Sequence, residues 1–281
     1  KMPRYRRNRR MTKKKILNVT SEKKRNGMVS MSNTSDTGSS RALAVGPLFV
    51  NGNNGNAVCV FNATAQDMNI NDSGNIGSKA NTSTRTATSC YIRGFSEHLR
   101  IETNSAVPWM WRRIVFRTKD DFFSSTAKTA TEVAAPQFWT DTSAGMERVW
   151  FNLLVNNSGP RIAQMEGLIF KGQPARDWND AISAPTDNLR ISVMYDKTRI
   201  IRSGNNSGVL LTPKMWHGYN GTLVYDDDED GGAISSAYTS TDSNAGKGDM
   251  IIVDYFVSSS ASVASDQLKL QSSSTLYWHE R

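Results

Sequence analysis

Strand-length apolar runs separated by long polar loops are the feature that most narrows the folds open to this chain. The runs are rich in β-branched and aromatic residues, as in Ile114-Val115-Phe116, which favours strands over helices. They lie at 46–50, 57–61, 89–103, 107–118, 165–170, 189–202, 208–225, 248–258 and 266–280. Residues 250–257 are almost continuously apolar, which predicts a strand that is covered on both faces or lies at a subunit contact.

Helical periodicity is weak by comparison. Residues 145–155 carry apolar side chains at helical spacing and predict a helix, although 149–155 fits a strand equally well. The loops at 62–88, 119–146, 171–188 and 226–247 are too long for simple connections, so we expect them to form binding surfaces. This pattern predicts an all-β protein, and the commonest such arrangement is an eight-stranded antiparallel jelly-roll sandwich with long loops.

Positive charge is concentrated at the N-terminus. The first 25 residues hold 12 of the 34 Lys and Arg and one acidic residue, Glu22, so they carry a net charge of +11. The remaining 256 residues carry a net charge of −3. A run of this charge density stays extended and disordered until a polyanion neutralises it, and nucleic acid is the polyanion of matching charge density.

Two other roles fit a basic segment, a solvated tail or a signal read by a nuclear import receptor. Nucleic-acid binding is favoured because the segment has three basic clusters where an import signal needs one. The candidate binding residues are Lys1, Arg4, Arg6, Arg7, Arg9, Arg10, Lys13, Lys14, Lys15, Lys23, Lys24 and Arg25. The basic segment and the polar tether at 26–45 together form an arm at 1–45, and we expect a jelly-roll domain at 46–281. The chain begins with Lys1 rather than Met, so we also expect further residues upstream.

Catalytic and cofactor motifs are missing from the sequence. The three histidines, His98, His217 and His279, are far apart, and there is no phosphate-binding Gly-Lys-Ser/Thr loop or nucleophile elbow. Cys59 and Cys90 lie in apolar contexts and predict two buried free thiols. No apolar run is long enough to cross a membrane. We therefore expect neither an enzyme, nor a cofactor, nor a membrane partner.

One acidic run is the only weak candidate for a metal site. Its carboxylates could attract a hard cation such as calcium, but they lack the alternating spacing of a calcium loop. A solvated loop is the favoured interpretation, with metal binding or docking of a basic segment as alternatives. The run comprises Asp226, Asp227, Asp228, Glu229 and Asp230.

The densest aromatic and basic cluster of the body comprises Trp109, Trp111, Arg112 and Arg113. Aromatic rings that stack on bases beside guanidinium groups are typical of single-stranded nucleic-acid binding. Successive strand residues face opposite sides, so the two arginines cannot both contact one ligand. The alternative is that these tryptophans belong to the core or to a subunit contact.

Three separated segments resemble the capsid proteins of genomoviruses, the gemycircularvirus-like group of small circular single-stranded DNA viruses. They are Lys13-Lys14-Lys15-Ile16-Leu17-Asn18-Val19-Thr20-Ser21 with Lys23-Lys24-Arg25-Asn26, then Ser89-Cys90-Tyr91-Ile92-Arg93-Gly94-Phe95-Ser96-Glu97-His98-Leu99-Arg100-Ile101 with Pro108-Trp109-Met110-Trp111-Arg112-Arg113, and Ser274-Thr275-Leu276-Tyr277-Trp278-His279-Glu280-Arg281. The loops at 62–88, 119–146 and 226–247 show no such resemblance.

This resemblance implies a jelly-roll subunit, sixty identical copies of which form a T=1 icosahedral shell around a circular single-stranded DNA genome. It also implies passage through the host nucleus and a final place in the virion. The rival interpretation is a shuttle-type nucleic-acid-binding module that acts as a monomer or dimer.

Overall fold

The computed structural model describes residues 11–53, 56–71 and 74–280, and for Lys13, Lys14, Leu17 and Asn18 it describes the backbone alone. The elements of the first half are α1 (Lys13–Thr20), β1 (Glu22–Met28), β2 (Ser30–Thr34), β3 (Ser40–Val45), β4 (Leu48–Asn51), β5 (Asn56–Asn62), β6 (Ser89–Thr103), β7 (Trp109–Thr118), β8 (Thr140–Thr142) and β9 (Gly145–Trp150). Those of the second half are α2 (Gly159–Ile169), β10 (Ser192–Ile201), β11 (Leu210–Leu211), β12 (Lys214–Val224), β13 (Asp228–Asp230), β14 (Ala233–Ser235), β15 (Asp249–Ser258) and β16 (Gln267–Glu280). The prediction of a mainly β protein built from antiparallel sheets is confirmed.

Two antiparallel sheets, which we call the front and back sheets, contain most of the long strands. In the front sheet β6 pairs with β16, β1 and β4 pair with the other edge of β16, and β12 and β11 pair with the other edge of β6. The back sheet has the order β10-β7-β15-β5. A third sheet of order β3-β2-β9-β8 contains one parallel pair, β2 with β9.

The core lies where the front and back sheets face each other. Phe61 of β5 and Phe95 of β6 approach to 5.7 Å between ring centroids, and Ile92 and Leu276 of the front sheet join the same buried cluster as Ile252 of the back sheet. Each such side chain stabilises the fold by roughly 1.5–3 kcal/mol when it leaves water. Alternation in β12 and β16, and in β6 apart from a break at Gly94 and Phe95, sends one set of side chains into this core and the other set outward.

Strand β15 shows why residues 250–257 are so apolar. It lies between β5 and β7 in the back sheet, and its first eight residues are buried. One face meets the front sheet, and on the other face Tyr255 lies 6.0 Å from Phe170, at the C-terminal end of α2, between ring centroids. The prediction of a strand covered on both faces is confirmed, and this chain supplies the cover on both sides.

Two secondary-structure predictions are wrong. The run 165–170 belongs mostly to helix α2 rather than to a strand. Conversely, residues 145–150 of the predicted helix at 145–155 form strand β9, because Val149 and Trp150 are buried and pair in parallel with Met31 and Ser32 of β2. Short apolar runs fit both periodicities, and the neighbouring strand decides between them.

The ordered body begins earlier than the sequence indicates. Residues 13–20 form α1, and residues 22–45, expected to be arm and tether, contribute strands β1, β2 and β3. Strand β1 alternates exposed and buried residues along the edge of β16, with Lys24, Asn26 and Met28 facing inward. Backbone pairing with β16 therefore overrides the disorder expected of this basic segment.

The long loops at 62–88 and 119–146 are also partly internal. Ala63 and Ala65 are buried in the first loop, and Phe122, Phe123 and Phe138 of the second belong to the main core cluster. These loops therefore complete the hydrophobic core of this chain, which their polar composition concealed. Their predicted contribution to subunit interfaces stays a prediction.

Candidate nucleic-acid interface

The predicted aromatic and basic cluster on β7 is buried. Trp109, Trp111, Arg112 and Arg113 are each at most 5% exposed, because β7 lies between β10 and β15 in the covered back sheet. Arg112 hydrogen-bonds the carboxylate of Asp196 at 2.7 and 2.9 Å and the main-chain carbonyls at 181 and 184. The prediction that this cluster contacts nucleic acid is wrong, whereas the core position that was the alternative is confirmed.

Arg113 faces the other side of β7, as strand alternation requires, and enters a buried charge cluster. This cluster comprises Arg113, Arg148, Glu97 and Asp254, two cations and two anions between the sheets. Arg113 Nε lies 2.7 Å from Asp254 Oδ1, and Arg148 Nε lies 2.7 Å from Glu97 Oε1. Burial alone raises the pKa of Glu97, but the two guanidinium groups outweigh it and lower the pKa to about 2. The cluster is therefore charged, paired and structural.

His217 adjoins this cluster, its Nε2 3.4 Å from a terminal nitrogen of Arg113. Burial and then the Arg113 charge lower the pKa of His217 to about 4. As the pH falls, His217 is protonated in the unfolded state before it is protonated in the folded state. The stability that neutral His217 contributes is therefore present above pH 6.5 and is lost as the pH falls toward 4. Urea unfolding of the purified protein should show that its free energy of unfolding falls by roughly 3 kcal/mol over this pH range because of His217.

A His217→Gln variant should lose much of this pH dependence between pH 6.5 and 4. The matched control is His98→Gln, because His98 lies exposed on the outer face of the same sheet. Equal pH slopes for the wild type and His217→Gln would contradict the assignment.

The acidic run at 226–230 divides between two environments. Asp227 forms two hydrogen bonds of 2.6 and 2.8 Å with Arg85, whose guanidinium also lies 3.8 Å from the centroid of the Tyr225 ring. Asp226 is exposed, and Asp228, Glu229 and Asp230 form the exposed strand β13, hairpinned to β14. Across the described ranges, no group of three or more His, Cys, Asp or Glu side chains could hold a metal ion.

The candidate binding residues of the arm fall into three groups. Lys1, Arg4, Arg6, Arg7, Arg9 and Arg10 lie outside the described residues, as do the side chains of Lys13 and Lys14, whereas Lys15 is exposed on α1. Lys23 and Arg25 are exposed on β1. Lys24 is buried, with Nζ 3.1 Å from Glu280 and hydrogen-bonded to Thr84 and Thr86. The prediction that Lys24 meets DNA is therefore wrong, since its charge is used within the fold.

A cationic surface does exist, on the outer face of the front sheet. We call this set of outward-pointing residues the cationic face. Its basic and imidazole side chains are Lys23, Arg25, Arg93, His98, Arg100, Lys214, Lys269 and His279, and its aromatic side chains are Tyr91, Trp216 and Tyr277. Among the outward residues of β6, β12 and β16, all within the described part of the chain, Glu102 is the single acid, and it pairs with Arg100 and Lys269.

Strand register brings these residues into rows. Lys23 lies opposite His279, which in turn lies opposite Tyr91, and the rings of the latter two are 6.2 Å apart. In the next row Arg25 lies opposite Tyr277, whose ring is 5.8 Å from that of Trp216. Basic groups beside exposed rings are the arrangement that holds single-stranded nucleic acid.

The pKa of His279 depends on the positive charge of this face. Partial burial, and then the charges of Arg93 and Lys23, lower its pKa below the ordinary value. Phosphates bound to the face should neutralise those cations and raise the pKa of His279. A pH titration of the imidazole signals by NMR, with and without oligonucleotide, measures the shift, and Arg93→Ala should raise the pKa without DNA. An unchanged His279 pKa at saturating oligonucleotide would place the DNA elsewhere.

The sequence contains a signal for this face. Residues 214–222 alternate so that Lys214 and Trp216 share one side of a strand while Met215, His217 and Tyr219 share the other. The same alternation in 89–103 and 267–280 separates the outward basic residues from the core. What the sequence could not indicate is that these three strands are neighbours.

Both cysteines are free and buried, as predicted, and burial raises the pKa of each thiol. Within the described residues no helix has the length and apolar character needed to cross a membrane. No family model matches this chain, and no curated protein is significantly similar to it.

Proposed function

We propose that this chain is the capsid protein of a small single-stranded DNA virus of the genomovirus type. In this proposal sixty copies form a T=1 shell, and the basic arm and the cationic face bind the circular genome inside it. The protein has no catalytic role. The basic arm also serves as a nuclear import signal.

Strand order supports a jelly roll as the fold of this subunit. The eight strands β4, β5, β6, β7, β10, β12, β15 and β16 can be numbered one to eight along the chain. The front sheet then has the order one-eight-three-six, and the back sheet has the order five-four-seven-two. Two interlocked Greek keys produce such an order, and viral capsid domains use this sandwich.

The observation that carries the proposal is the continuity of the arm with the cationic face. Strand β1, which belongs to the arm, lies at the edge of the front sheet and places Lys23 and Arg25 on the same outer face as the rest of the cationic face. The outer face of the front sheet thus presents six Lys and Arg side chains, and Glu102 is the single acid among the outward residues of β6, β12 and β16. A shell wall needs this polarity, because one side of the wall meets the polyanion.

The charge of the arm supports a packaging role. With Lys24 committed to Glu280, eleven basic residues of the first 25 remain for DNA. Sixty copies would contribute about 660 positive charges, a substantial fraction of the phosphates of a small genome.

Purified full-length protein tests the proposal directly. Size-exclusion chromatography should show megadalton particles, negative-stain microscopy should show uniform shells, and the particles should contain nuclease-protected single-stranded DNA. Elution at tens of kilodaltons without particles would reject the capsid and favour the shuttle-type module.

A further inference from the structure

Trp216 is the most exposed tryptophan in the described chain. Its side chain is 53% exposed, whereas Trp139 is half-buried and Trp109, Trp111, Trp150, Trp178 and Trp278 are buried. A large indole on a sheet face that is otherwise basic and polar points to a ligand with an apolar surface and negative charge.

The backbone beneath Trp216 is adapted to the ring. Gly94 of β6 has a φ of +154°, and a Cβ at this position would lie 2.7 Å from Trp216 Cζ2 and 2.4 Å from the carbonyl oxygen of His217. Any side chain at residue 94 would therefore displace the indole from the sheet. The register between β6 and β16 shifts here, since Tyr277 pairs with Gly94 and Trp278 with Ile92. Glycine at this bulge lets one side of the indole rest on the backbone and leaves its other side to solvent.

Tyr277 enlarges this aromatic surface, and cations surround it. The Tyr277 and Trp216 rings lie 5.8 Å apart at an angle of 55°. Arg25 is the register partner of Tyr277, Arg93 precedes Gly94 and is hydrogen-bonded to Asn220 at 2.9 Å, and Lys214 faces outward two residues before Trp216. Rings that accept bases, flanked by groups that accept phosphates, match a single strand, because paired bases in a duplex have no free face.

We propose that Trp216 and Tyr277 form a stacking site for an unpaired base of single-stranded nucleic acid, with Arg25, Arg93 and Lys214 holding the adjacent phosphates. This inference rests on the proposed function, which assigns the cationic face to DNA, and adds how that face selects single strands over duplex.

Binding of the full-length protein to three probes tests the site: oligothymidylate, an abasic oligonucleotide of the same length, and a duplex of equal phosphate number. Trp216→Ala should weaken oligothymidylate binding about tenfold, since one stacked base contributes on that order. Its binding to the abasic probe and to the duplex should stay unchanged, because phosphate contacts with the arm remain. The control is Leu189→Ala, which removes a 95% exposed apolar side chain before β10 and should alter no affinity.

Fluorescence supplies a second measurement. Oligothymidylate should protect an exposed tryptophan from acrylamide quenching, the abasic probe should not, and Trp216→Phe should abolish the protected signal. If Trp216→Ala weakens binding to the thymidylate and abasic probes equally, or weakens binding to neither, the stacking site is overturned. Lost assembly with unchanged DNA binding would also overturn it, and would place the indole between subunits.

These outcomes are distinct from a failure of the proposed function. The capsid proposal fails when the wild-type protein forms no DNA-containing shells, whatever the Trp216 variants bind. The stacking site fails when wild-type shells form and package DNA but Trp216→Ala binds all three probes like the wild type.

Discussion

An Arg148→Met subunit is expected to lose about 3–5 kcal/mol of its free energy of unfolding, the cost of removing one partner from a buried charge cluster. Arg148 is fully buried and contacts the carboxylates of Glu97 and Asp254. Its guanidinium also lies 3.7 Å from the centroid of the Trp150 ring and 4.3 Å from that of Phe61. Methionine fills much of the volume but leaves the cluster with one cation for two anions. Urea unfolding of the unassembled subunit, followed by tryptophan fluorescence, measures the loss.

The matched control is Arg100→Met. Arg100 pairs with Glu102 at 2.8 Å on the outer face of β6, where its side chain is half exposed. An exposed ion pair contributes less than about 1 kcal/mol, so this variant should unfold nearly like the wild type. Equal stabilities of Arg148→Met and Arg100→Met would show that the buried cluster does not hold the two sheets together.

Deletion of residues 1–15 is expected to produce the largest loss of DNA affinity. The deleted segment holds nine basic residues, and each phosphate contact on a single strand contributes about 0.7 to the slope of log K against log salt. The slope should therefore fall by up to about 6, and affinity at low salt should drop by a factor on the order of a thousand or more. The folded body should persist, because the strands begin at Glu22. Oligonucleotide titrations across salt concentrations measure both quantities.

A full-length variant with Arg4, Arg6, Arg7, Arg9 and Arg10 replaced by Gln separates charge from length. Its salt slope and its DNA affinity should fall as in the deletion variant, in proportion to the charge removed. It should show no preference among oligonucleotide sequences. Wild-type levels of packaged DNA in the deletion variant would show that the arm is not the packaging device.

Strand prediction succeeded where the sequence pattern was long. Runs at 89–103, 248–258 and 266–280 match β6, β15 and β16 closely, because ten or more residues of β-rich pattern leave little ambiguity. The run 208–225 is split into β11 and β12 by Pro213, which cannot donate to a ladder. Short runs failed, as at 165–170, because a run of six residues fits a helix and a strand equally well.

The cationic face was harder to predict than the strands. Trp109 to Arg113 combine rings and charges in sequence, yet their strand is covered on both faces and the charges pair internally. Trp216, Tyr277 and Arg93 are far apart in sequence, and only the pairing of β12 with β6 and of β16 with β6 brings them together. Local composition reports which groups a strand carries but not which face of the sheet is left to solvent.

The sequence by itself determined the β class, most strand positions, the buried free thiols and the separation of a basic N-terminus from an acidic body. These follow from local patterns of hydrophobicity and charge, which need no knowledge of neighbours. Tertiary structure alone decided that Lys24 and Arg113 are internal partners of Glu280 and Glu97, and that β1 joins the front sheet. Burial and charge pairing depend on contacts between residues up to 256 positions apart, as in Lys24 and Glu280, and only the folded chain specifies those contacts.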